Sequence, residues 1–265
     1  MRKETITSGQ NLKIKQLLLL QEKSKARREQ GLFAVEGRRE LEHCLAAGYT
    51  VRTLFVCPEI AGSLAAEGTP SSAKASVIEI PEQLYRKVAY REGTEGIIAE
   101  VEYKSLKLLD LQLPENPLVM VLERVEKPGN LGAVLRSADA AGADAVLICD
   151  PLTDLYNPNL IRASIGAVFT VPTVACTSEE AIAFLQTKGI QILTAQLQDS
   201  SLYYDVDMRR GTALVMGTEA TGLTDQWRQA ASAHIRIPML GRLDSLNVSV
   251  SAAILLFEAV RQRQG

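Results

Sequence analysis

The sequence predicts an α/β protein in two parts: a smaller α/β domain over residues 1–105 and a larger one over 106–265, built on a mostly parallel sheet. Short β-type runs alternate with helix-like stretches along the whole chain. In the second part the strand-like runs are apolar at nearly every position, as strands covered on both faces must be. Between the two parts, "YKSLKLLDLQLPENP" (103–117) breaks the alternation and reads as a linker.

In the first part the β-type runs are "LFAVE", "VRTLFVC", "ASVIEI" and "GIIAEVE". Helix-like stretches at 11–30, 38–47 and 81–88 separate them, and Gly31 is placed to stop the first. After the linker, "LVMVLERV" reads as a buried strand and "NLGAVLRSADAAG" as a helix ended by Gly142. "DAVLICD" is the next strand, and "NPNLIRASIGA" is helical and leads into "VFTVPTVAC". "SEEAIAFLQTKG" is an amphipathic helix with Ser178 as N-cap, two glutamates in its first turn and a closing glycine. "IQILTAQ", "TALVMG", a helix from Thr224, "HIRIPM" and a final helix complete the pattern. In sheets of this kind ligands bind at the loops after the strand C-termini.

Composition narrows the class. With 265 residues, 46% hydrophobic and 23% charged, the chain has an ordinary globular balance. Its longest apolar run falls short of the roughly 18 residues a membrane helix needs. The start, "MRKETITSGQNLK", has no apolar core of a secretory signal. Cys44, Cys57, Cys149 and Cys176 lack CxxC spacing and there are two histidines, so no metal site is expected. Reduced thiols in a cytoplasm are the simplest reading. A net charge of −2 taken alone argues against nucleic acid, yet residues 1–40 carry ten Lys/Arg against five Glu. Lys23, Lys25, Arg27 and Arg28 lie within "KSKARR": either a solvated helix face or a phosphate-binding patch.

Three polar clusters fall at strand ends. In "EKPGNLGAVLRSA", Gly129 and Gly132 bracket Asn130 at a strand-to-helix turn, with Arg136 on the helix; no GxGxxG fingerprint is present. In "LVMGTEATGLTDQ", Gly217 ends a strand, Glu219 follows, and glycines let a ligand approach the backbone. In "LDSLNVSVSAAILLFEAV" (243–260), a helix apolar on every side opens with Asp244, Ser245, Asn247, Ser249 and Ser251. A buried helix needs a cap for its first N–H groups, but one cap suffices, and the surplus points to a ligand.

Together, "NLGAVLRSADAAGA", "LVMGTEATGL" and "IPMLGRLDSLNVSVSAAILLFEAV" resemble, in order and spacing, the three motifs of the SpoU (TrmH-like) family of RNA ribose 2'-O-methyltransferases. The resemblance covers about residues 118–262. The N-terminal part, with "GLFAVEGRREL", is more loosely similar to the L30e-like substrate-binding domain that many members carry. One departure is Ala220, where the family usually has glycine.

The resemblance implies a trefoil-knotted methyltransferase domain with S-adenosylmethionine as cofactor, and a homodimer with the site near its interface. It implies that Gly217, Ile237 and Leu246 contact the cofactor, largely through backbone groups. Asn130, Arg136, Glu219, Ser245 and Asn247 match the polar active-site positions. Arginine stays protonated, so Arg136 is expected to hold a phosphate and stabilise a developing alkoxide. Ribosomal RNA is the expected substrate and transfer RNA the runner-up. The rivals are a base methyltransferase of the wider superfamily and a non-catalytic RNA-binding protein.

Overall fold

The computed structural model describes residues 4–62, 75–90, 95–218, 221–242 and 245–264. The chain forms two compact units, Met1–Lys104 with Asp154–Thr170, and Ser105–Thr153 with Val171–Gly265. The sequence pattern assigns Asp154–Thr170 to the second part; these residues sit with the first unit.

The first unit runs β1 (Glu4–Thr5), α1 (Leu12–Glu22), α2 (Ser24–Gln30), β2 (Leu32–Glu36), α3 (Arg38–Ala46), β3 (Val51–Val56), α4 (Pro58–Ala61), β4 (Ser76–Glu79), α5 (Glu82–Val88) and β5 (Ile97–Glu102). Its sheet has the order β1-β4-β3-β5-β2. The β1–β4 and β4–β3 pairs are parallel, and β3–β5 and β5–β2 antiparallel. Ile14, Leu17, Phe55, Ile78, Tyr85 and Ile98 lie in its core.

The single helix expected over 11–30 is two helices, broken where Lys23 turns extended (φ −112°, ψ 111°). Gly31 ends the second in the left-handed region (φ 62°), which glycine enters without steric cost. The break lets Arg27 reach back to the end of α1: its Nη1 donates to the carbonyls of Leu20 (2.7 Å) and Gln21 (3.2 Å), which lack helical partners there.

The second unit begins with β6 (Leu118–Glu123), α6 (Pro128–Ala140) and β7 (Ala145–Cys149). The chain then enters the first unit as α7 (Pro158–Ala163) and α8 (Ala167–Thr170). Three aromatic side chains account for this. Tyr156 stacks on Phe33 (ring centroids 4.2 Å apart, 18° between planes), its hydroxyl donates to the Lys104 carbonyl (2.6 Å), and Phe169 stacks on Phe33 at 6.0 Å. Consequently "VFT" is helical and only Thr173–Cys176 forms the following strand, β8.

Next come α9 (Ser178–Thr187), β9 (Gln191–Ala195), β10 (Ser201–Leu202), β11 (Thr212–Met216), α10 (Asp225–Ala230), β12 (Ala233–Arg236) and α11 (Val248–Gln264). The sheet has the order β10-β12-β9-β11-β6-β7-β8, and every described pairing is parallel. All residues of β6, β7 and β11 are buried, so the central strands are covered on both faces.

The cap of α9 is Thr177, not Ser178. Thr177 Oγ1 accepts from the Glu180 N–H (3.1 Å), and Glu180 accepts from the Thr177 N–H (2.8 Å). This reciprocal pair satisfies two N–H groups at once, leaving Ser178 free to turn its hydroxyl into the core. The last helix, α11, packs on α6 and against β6 and β11. It is not buried all round: Val250 and Phe257 are 47% and 48% exposed on an outer flank.

Candidate active site

From β6 the chain proceeds to β7 and β8 on one side, whereas the strand after β11 lies on the other. The neighbours β6 and β11 therefore send their connections in opposite directions. A crevice opens between the two loops at such a point. A cavity of about 600 Å³ lies there, lined by Arg124, Lys127 and Asn130 after β6 and by Gly217, Thr218 and Thr224 after β11. A second cavity of about 360 Å³ shares Gly217 and Thr218 and extends to Gln196, Ile237, Ser245 and Leu246. Both fall within the size range of small-molecule sites. The expected cofactor residues Gly217, Ile237 and Leu246 thus share one cavity with Ser245, while Asn130 lines the adjoining one.

Asn130 lies within the first turn of α6 rather than in the turn before it. Asn247 caps α11: its carbonyl accepts from the Ser251 N–H (3.0 Å), and its Oδ1 accepts from the N–H (3.0 Å) and hydroxyl (2.6 Å) of Ser249. Its Nδ2 is left to donate to Asn130 Oδ1 at 3.1 Å. Two helix N-termini meet through this amide pair, and both favour negative charge. The polar surplus at the start of α11 is thereby divided. Asn247 and Ser249 make the cap, Ser251 is buried, and Ser245 lines the cavity.

Gly217 is needed by its own loop. A Cβ there would lie 2.3 Å from the carbonyl carbon and oxygen of Gly222 and 2.6 Å from the Leu223 nitrogen. Those are backbone atoms, which cannot yield without moving the loop. The Gly222 N–H donates to the Thr218 carbonyl (3.0 Å), closing the turn, and Gly222 itself has φ 67°. Gly217→Ala is therefore expected to lower both melting temperature and S-adenosylhomocysteine affinity in calorimetry. Loss of affinity at unchanged stability would mean that the glycine only makes room for the ligand.

Sequence reasoning missed the group that fixes this loop. Glu123, at the end of an otherwise apolar strand, is 1% exposed. Its Oε1 accepts from the Thr224 hydroxyl (2.6 Å) and its Oε2 from the Thr224 N–H (2.9 Å). Thr224 therefore starts α10 without capping it through its own side chain. Beside it, the Ser178 hydroxyl donates to Asp150 Oδ2 (2.6 Å) and accepts from Trp227 Nε1 (3.0 Å). The adjacent Cys176 thiol, and burial, push the Cys149 thiol pKa up, so Cys149 is held neutral. A carboxylate closing the apolar run "LVMVLE" was the available signal, since a buried carboxylate needs donors.

The remaining expectations fare differently. Arg136 is exposed on α6, lines neither cavity, and makes no hydrogen bond or ion pair among the described residues. Glu219 and Asp244 lie outside the described residues. The basic cluster splits. Lys23, Lys25 and Arg28 are exposed, with Lys25 3.7 Å from Glu29 and Arg28 donating to Ser24 Oγ (3.0 Å). Arg27, in contrast, is 2% exposed and pairs with Asp154 Oδ2 at 2.7 Å. That buried pair makes Arg27 an anchor of the fold, and it is withdrawn as a phosphate contact. Among the described residues no three His, Cys, Asp or Glu cluster to hold a metal, and no helix is long and apolar enough to cross a membrane.

Residues 117–257 match the model of the SpoU rRNA Methylase family, and residues 11–99 that of the MRM3-like substrate binding domain. The chain is 30% identical over 264 residues to the 23S rRNA (uridine(2479)-2'-O)-methyltransferase of Streptomyces viridochromogenes, covering 97% of this chain and 92% of the other. A crystal structure of an RNA 2'-O ribose methyltransferase superposes with a TM-score of 0.84 at 37% identity, covering all of both chains. An AdoMet-bound rRNA methyltransferase from Sinorhizobium meliloti gives 0.86 at 30% identity, covering 98% of each chain.

Proposed function

The chain belongs to the SpoU rRNA methylase family, and from that membership and the paired cavities we propose that it transfers a methyl group from S-adenosylmethionine to a ribose 2'-hydroxyl of ribosomal RNA. The observation that carries this reading is the meeting of all three motif loops at one crevice, where Gly217 and Val248 line both cavities and Asn130, on the wall of the larger, is hydrogen-bonded to Asn247.

The smaller cavity fits the cofactor. Ile237, Leu246 and Gly217 give it apolar walls and exposed backbone. Gln196 Oε1 is buried there without a partner among the described residues, an acceptor for an amine such as that of adenine. When bound, the cofactor supplies a methyl on a sulfonium with a good leaving group, so positioning should provide much of the rate. Glu123 holds Thr224, at the wall of the larger cavity, in place. Asn130 and Asn247 present polar groups and two helix N-termini to the ribose. Arg136 holds the neighbouring phosphate and stabilises the forming alkoxide.

Arg136 lies off both cavities of its own chain, and α11, which packs on α6, has an apolar flank of Val250 and Phe257. Both observations favour a homodimer in which α6 and α11 face a second copy and Arg136 serves that copy's cavity. The family reading also brings a knotted C-terminal segment and a cytoplasmic enzyme. In the first unit, the exposed cations of the basic cluster, Lys23, Lys25 and Arg28, suit RNA phosphates.

The test uses the full chain, tritiated S-adenosylmethionine and an in vitro transcript of 23S ribosomal RNA, with the label mapped to base or sugar. Label on a ribose supports the reading. Label on a base would favour a base methyltransferase, and no transfer to ribosomal RNA with transfer to transfer RNA would change the substrate.

A further inference from the structure

We infer that Arg124, with Lys127 three positions on, holds a phosphate of the RNA strand at the wall of the larger cavity; this rests on the reading of the site as an RNA methyltransferase. Arg124 follows β6 with φ 53°, in the left-handed region that residues with a Cβ avoid. Its backbone N–H donates to the Cys149 carbonyl (2.9 Å), which fixes the turn. Glycine would serve that turn with less strain. The arginine side chain answers no need of the fold: it is exposed and has no hydrogen bond or ion pair among the described residues.

Strained residues of this kind gather at functional sites, and this one lines the larger cavity. Lys127, at the N-cap of α6, lines the same wall, and Glu126 is the only acid among the described lining residues. Two cations beside a helix N-terminus suit an anion, and the guanidinium fork matches two phosphate oxygens. Asn130 in the same cavity places that phosphate next to the reacting ribose, so Arg124 is a positioning residue that sets which nucleotide enters.

The experiment compares the wild-type chain with Arg124→Gly. The variant should keep or raise its melting temperature, because glycine relieves the turn. It should bind S-adenosylhomocysteine as wild type does. Its KM for an unmethylated 23S transcript should rise about tenfold, the worth of a charge-assisted hydrogen bond, with kcat within a few-fold. The slope of log RNA affinity against log salt should fall by roughly 0.7–0.9.

An unchanged KM and salt slope overturns the inference. So does a lower melting temperature with normal RNA binding, which would assign Arg124 to the fold. A weaker S-adenosylhomocysteine affinity overturns it too, by assigning the guanidinium to the cofactor's carboxylate. A wild-type chain that neither binds nor methylates the transcript would remove the premise, and the inference with it.

Discussion

Arg136→Ala, made in the full chain, loses methyl transfer by a factor of about 10²–10³, while S-adenosylhomocysteine binds as before. The size follows from removing a donor aimed at a developing oxyanion in a site with no histidine among its motif residues. The selectivity follows from geometry: Arg136 lines neither cavity, so the cofactor walls stay intact. If the residue acts across a dimer, mixing Arg136→Ala chains with Asn247→Ala chains restores part of the activity. Each hybrid then holds one cavity with its own asparagine and the other copy's arginine. No recovery in the mixture would place Arg136 in its own chain's site, and near-normal turnover of the single variant would remove it from the chemistry.

Arg27→Ala is the largest expected effect on stability. The substitution leaves the largely enclosed Asp154 (side chain 10% exposed) without its counter-ion and the carbonyls of Leu20 and Gln21 without a donor. Breaking a buried pair from one side costs about 3–5 kcal/mol, far beyond a surface charge. Urea unfolding of the full chain measures it. Arg27→Met with Asp154→Leu removes both charges together, and should be less destabilised than Arg27→Ala. A loss under about 1 kcal/mol in Arg27→Ala would mean the pair behaves as a surface salt bridge.

Much of the fold was legible because burial writes itself into apolar runs. "LFAVE" is β2 to the residue, and Gly31 and Gly142 close helices where expected. The parallel sheet followed from the apolar strands; Gly217, Ile237 and Leu246 line one cavity, and Asn130, on the wall of the adjoining one, accepts from Asn247. What failed had causes distant in sequence. The helix over 11–30 breaks at Lys23 without glycine or proline; the break brings Arg27 to Asp154, 127 residues on. Nothing in "KSKARR" marks one of its cations as buried, because composition is blind to a partner so far away. Ser178 and Thr177 are equally good caps locally, and the hydrogen bonds that Ser178 makes to Asp150 and to the buried Trp227 separate them. Glu123 escaped notice because a lone acid at a strand end looks solvated until a threonine from another loop is found to bind it.

The excursion of Asp154–Thr170 into the first unit also sets an order of assembly. A ribosome delivers the chain from its N-terminus, and domains usually complete themselves in that order. Here Phe33 waits for Tyr156 and Phe169, and Arg27 waits for Asp154. β6, α6 and β7 must leave the exit tunnel before the earlier unit can close its core. Neither unit can therefore be cut out as one continuous piece of gene: a clone ending at 104 lacks the rings that seal its core, and one starting at 105 carries them with nothing to stack on.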